Sequence, residues 1–165
     1  MMPFTEESYL QSLREAAEEA VRMLKDCYGE PSTQPRKDSL GRTLLGFGRD
    51  LFARKQSQAG ADLDLREDVQ QTQQILAERL FGMLAVRPET HTKVASLLVI
   101  ADLVGPETIR DCAPLWAAIK ADEWTRAGAV LLGFDWSKYR AARQHTLDVE
   151  AVNLRIMEIA MGIGR

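Results

Sequence analysis

The chain is short of a surplus of either charge, of metal-binding residues and of long apolar runs. Lys and Arg number 21 against 24 Asp and Glu, for a net charge of −3, and the pI is about 5.5. Without a basic excess, nucleic acid is not an expected partner. An anionic surface would repel the chain at long range. Two cysteines, Cys27 and Cys112, and two histidines, His91 and His145, have no metal-ligand spacing. No metal site and no cofactor are therefore expected, and both thiols are expected to be free. The longest apolar run, residues 94–104, is interrupted by Ser96 and Asp102. It falls well short of the roughly 20 residues a membrane span needs, so no membrane insertion is expected. Residues 1–7 carry neither a basic n-region nor an apolar stretch, so no signal peptide is read there. The expectation is the cytoplasm of the cell that expresses it, with any action beyond that membrane depending on delivery by another factor.

What is present is core material. Apolar residues make up 45% of 165 residues, which suits one domain, or two lobes sharing a helix. Leu10, Leu13, Ala17, Ala20, Val21 and Leu24 recur at three- and four-residue spacing and predict a helix over 8–28. Gly29, Pro31 and Pro35 end it, and 30–36 reads as a polar loop. Residues 42–48 are hairpin-like, with glycines bounding an apolar run. Residues 55–61 read as a polar loop. Asp64 stands three residues before Glu67, a capping-box spacing that predicts a long helix from Asp64 to about Leu84. Pro88 opens the next helix, which runs to about Val104 and is apolar nearly all round, as a central core helix would be. Gly105-Pro106 breaks it, and short helices are predicted over 108–112, 114–120, 122–133 and 149–161. A helix, a hairpin and then a helical bundle imply an α+β protein.

The segment Lys37-Asp38-Ser39-Leu40-Gly41-Arg42-Thr43-Leu44-Leu45-Gly46-Phe47-Gly48 resembles the active-site hairpin of the bacteriophage-type lysozymes, the family of the T-even phage endolysin. That family reads roughly Glu-Gly-x-x-Leu-x-x-Tyr-x-Asp-x-x-Gly-x-x-Thr-Ile-Gly-x-Gly. The C-terminal half is similar too. A Gly ends the core helix, a Trp follows and a second Trp comes twelve residues later, here Gly105, Trp124 and Trp136. The segment Asp122 to Leu131 resembles the family's Trp-x-x-Ala-Ala helix. The resemblance implies a mainly helical α+β fold with a small antiparallel β lobe at about 1–62, a connecting helix at about 64–85 and a helical lobe at about 86–165.

The resemblance also implies a glycoside hydrolase, a muramidase cutting the glycosidic bond of bacterial peptidoglycan. Such chemistry uses one carboxyl kept protonated by apolar surroundings and a second, ionised one. In an inverting enzyme the two stand about 6.5–9.5 Å apart across a water. Asp38 matches the family's water-positioning aspartate. The acid, which the family holds at the end of its first helix in Glu-Gly-x-Arg-Leu, falls on Glu19 in Glu19-Ala20-Val21-Arg22-Met23. Glu30, eight residues before Asp38, is the rival. Thr43 stands one residue before the family's threonine position, which Leu44 fills. Leu103 stands where the family often has a polar residue. These substitutions set a second reading beside the enzyme: a catalytically inactive lysozyme fold acting as a phage structural, binding or regulatory component. Peptidoglycan is the partner in the first reading and another protein in the second.

Overall fold

The computed structural model describes residues 5–37, 43–47, 49–50, 58–86, 91–136 and 149–164, and most of these are helical. Helix α1 spans Glu6–Tyr28. It starts at a reciprocal cap: Thr5 Oγ1 accepts from Ser8 N at 3.1 Å, and Ser8 Oγ accepts from Thr5 N at 2.9 Å. Two free donors are satisfied in this way. The helix ends at Gly29, whose φ of 70° reverses the chain at little steric cost.

Three short strands follow: β1 (Ser32–Lys37), β2 (Thr43–Gly46) and β3 (Arg49–Asp50). They pair antiparallel in the order β1-β2-β3. Strand β2 falls within the predicted hairpin. Strand β1 replaces the predicted loop over 30–36. It lies at the edge of the sheet and exposes Thr33, Gln34 and Lys37, so it carries no apolar alternation to read. Pro35 lacks a ladder donor, and it sits where the β1–β2 register shifts, between Ser32 and Arg36. Gly46 takes φ 61° as the chain leaves β2.

Helix α2 (Gln58–Ile75) and helix α3 (Ala77–Val86) replace the single predicted helix. The helix starts six residues before Asp64, which is therefore inside it and not its N-cap. Burial of Ala61 and Leu65 at 2% and 3% exposure extends it back through the predicted loop, despite Gly60. The joint falls at Leu76, with no glycine or proline beside it. The i→i−4 bonds continue through it, from Leu76 N to Thr72 O and from Leu80 N to Leu76 O. Leu76 and Leu80, one turn apart, are both at zero exposure.

Helix α4 (His91–Val104) is buried continuously from Val94 to Val104. Two contacts show that α1 runs parallel to it: Glu19 meets His91 near one end, and Tyr28 meets Asp102 near the other. Helix α2 runs antiparallel to α1 through Lys25–Asp62, Glu18–Arg66 and the bond from Gln73 to the Leu13 carbonyl. Helices α5 (Pro106–Arg110), α6 (Ala113–Lys120), α7 (Trp124–Leu132) and α8 (Val149–Ile163) complete the bundle. Leu97 and Ile100 are fully buried, Trp124 is 9% exposed, and Val130 packs against this core partly buried.

Helices α7 and α8 cross closely at small residues. A Cβ added to Gly128 would stand 2.6 Å from the Ala160 carbonyl oxygen, a backbone atom that cannot swing aside. Gly128→Ala is therefore expected to destabilise the fold by about 1–3 kcal/mol, the usual cost of overpacking. Urea denaturation of the two proteins measures it, and equal midpoints would mean the helices cross elsewhere.

Candidate functional site

Glu19 projects from the middle of α1 into an open groove of about 690 Å³, shared with Arg66 of α2 and His91, the first residue of α4. Its side chain is 18% exposed. The carboxylate lies 3.5 Å from Arg22 Nη2 and 3.9 Å from His91 Nε2. Glu18 pairs with Arg66, and Lys25 pairs with Asp62 at 2.8 Å. The groove is thus a mosaic of opposite charges. Glu19 has Arg22 and His91 beside it. His91 is an addition from the structure: 72 residues separate it from Glu19, and nothing local links them.

The helix end is a different place. Helix α1 continues nine residues beyond Glu19, about 14 Å along its axis. Its last residue is Tyr28, followed by Gly29. A family member would hold its acid there, as the final helical residue before a glycine. Tyr28 is ten residues before Asp38, close to the family spacing of nine. Tyr28 is 4% exposed, and its Oη donates to Asp102 Oδ2 at 2.9 Å. Asp102 is itself 2% exposed, a carboxyl inside the core helix. Sequence reasoning passed over this pair. Its one local trace is a lone acid between Ala101 and Leu103 in an otherwise apolar helix.

The remaining expected residues that are described fall in and around the sheet or in the core helix. Glu30 is exposed, two residues past the helix end and ahead of β1. Asp38 lies outside the described residues. Thr43 is half-buried at the start of β2 and pairs with Lys37, while Leu44 pairs with Arg36. Thr43 would reach the family's threonine position only if a bulge turned it. The register shift lies at the other end of the hairpin, between Ser32 and Arg36, and leaves Thr43 in regular register. Leu103 is buried at 4% exposure.

Beside Tyr28, Cys27 is also buried. Burial pushes its thiol up to about 11, against the pull of Arg155 and with help from Asp26, Asp102 and Glu158. Among the described residues, no group of three His, Cys, Asp or Glu is placed to hold a metal ion. Among the same residues, no helix is long and apolar enough to cross a membrane.

Comparisons with protein-family models, with curated proteins and with solved structures found no match for this chain.

Two expected outcomes follow from the helix end. Tyr28→Phe takes the hydroxyl donor from a buried carboxyl and should cost roughly 1–3 kcal/mol. Adding Asp102→Leu removes the stranded acceptor, so the double variant should lose less than the two single losses added together. Strict additivity in denaturation experiments would show that the two groups are not coupled.

Cys27 sets an alkaline limit. Its folded value of about 11 lies above its ordinary 9.0. The folded state therefore holds the proton more tightly than the unfolded chain. The stability this contributes is present below about pH 9 and is lost as the pH rises through about 11. Denaturation at pH 8, 10 and 11 should show the native protein losing more stability than Cys27→Ala over that window. Parallel losses would contradict the assignment.

Proposed function

We propose that this chain is a lysozyme-like protein that has given up glycan hydrolysis and acts as a structural or binding component, in the setting of a bacteriophage. The lysozyme-like reading draws on the hairpin motif from Asp38 to Gly48 and on the Gly105, Trp124 and Trp136 spacing. The order of elements agrees with it: a first helix, a small antiparallel sheet, a long helical connection and a bundle around α4. The non-catalytic reading rests on one observation. The helix-end position of the acid is filled by Tyr28, whose hydroxyl is bonded to Asp102. A phenol donating to a buried carboxyl is no source of a proton for a leaving glycosidic oxygen. Leu44 at the threonine position and the buried Leu103 point the same way. The partner implied is another protein.

A muramidase remains the second reading, for one specific reason. Glu19 does reach an open groove of about 690 Å³, large enough for sugar rings. In that reading Glu19 or Glu30 is the acid and Asp38 positions water.

One assay separates the two. Purified protein is incubated with peptidoglycan between pH 4 and 8 and turbidity is followed. No clearing is expected at any pH. Clearing that Glu19→Gln or Glu30→Gln abolishes, at an unchanged melting temperature, would overturn the non-catalytic reading and name the acid.

A further inference from the structure

A second cavity, of about 390 Å³, opens between α3, α6 and the start of α7. Met83, Trp116, Ile119 and Trp124 form its walls. Both indole N–H groups are already used. Trp116 Nε1 donates to the Ile109 carbonyl at 2.7 Å, and Trp124 Nε1 donates to Asp122 Oδ1 at 2.9 Å. The walls therefore offer a ligand apolar contact and no indole donor. A saccharide, which needs several hydrogen bonds, is poorly served by such walls.

The rim supplies the charge. Arg79 and Lys120 line the cavity. The Arg79 guanidinium stands 5.8 Å from the Trp116 ring centroid, and Lys93 Nζ stands 4.2 Å from that of Trp124. Against these cations stand Glu78 and Asp122. The Asp122 carboxylate is engaged by Trp124, and its backbone holds φ 62°, unusual for a residue with a side chain. Two cations and two acids thus line the mouth; with the Asp122 carboxylate engaged by Trp124 and Lys93 standing over the Trp124 ring, Arg79 and Lys120 are the charges an incoming anion would meet. Gly82 also lines the cavity, and a Cβ built there meets no atom within 4 Å.

We infer that this cavity is a binding site for a small amphiphilic anion, with an apolar body of ring or short-acyl size in the slot and one acidic group at the Arg79–Lys120 edge. This does not depend on the loss of hydrolysis, because it uses none of the residues around α1 and β2. The apolar walls supply affinity by removing the ligand's body from water, and the two cations set its orientation and sign.

The test uses 8-anilinonaphthalene-1-sulfonate, an aryl sulfonate, as a fluorescent probe of the full chain. Excitation of the tryptophans should give energy transfer to the bound probe, since Trp116 and Trp124 form the walls. Decanoate and 1-naphthoate serve as competitors for acyl and aryl bodies, and decylamine as the control of opposite charge. Displacement by either anion, with decylamine at least about tenfold weaker, is the expected result, equivalent to about 1.4 kcal/mol. Gly82→Leu should fill the cavity and weaken the probe about tenfold or more while leaving the melting temperature equal or higher, since Gly is a poor helix former. Lys120→Glu should weaken the anions several-fold and leave the amine unchanged or tighter. Unchanged probe affinity in Gly82→Leu would overturn the site. Equal displacement by amine and carboxylate, or displacement by neither anion, would overturn the ligand class.

Discussion

Helix α4 has no face to give to water, and the other helices are arranged by that constraint. From Val94 to Val104 each residue is buried, so α4 must be wrapped from all sides. Helix α1 covers it along a parallel path, α2 and α8 cover other faces, and α5 turns off its end. Burial at this density is the main favourable term in folding. It also explains why amphipathic partners with one apolar stripe each suffice for the rest of the bundle.

The same constraint makes Asp102 costly. A carboxyl inside a helix buried all round needs a hydrogen-bonding partner. Tyr28 provides one from α1, and this ties the end of α1 to the core helix. To reach Asp102, α1 has to continue to Tyr28 before it stops at Gly29. That extension places a phenol at the junction with the sheet and leaves Glu19 well back along the helix, paired with Arg22 and close to His91. A feature that ties the core together thus sets how far α1 runs and where Glu19 falls along it.

Much of the fold was legible locally. The period of α1, the apolar character of α4, the breaks at Gly29 and Gly105-Pro106, and the Gly-bounded strand β2 are all written within short windows. Strand β1 was not legible, because an edge strand of polar residues with a proline has no alternation. The start of α2 was misread because Asp64 and Glu67 form a cap pattern that the burial of Ala61 and Leu65 overrides. The joint at Leu76 has no local signature either. In the candidate site, the helical period was enough to place Glu19 on α1, but its neighbours His91 and Arg66 come from distant segments.

By itself, the sequence determined the helical periods, the identity of the core helix and the absence of an excess charge that would favour nucleic acid. These follow from the order of apolar and charged residues along one element, which is local information. Only the tertiary structure decided which residue stands at the end of α1, what Asp102 bonds to, and which side chains share a groove. The Tyr28–Asp102 bond joins residues 74 apart in the chain. Its geometry depends on how two helices pack, and no local pattern of residues specifies that.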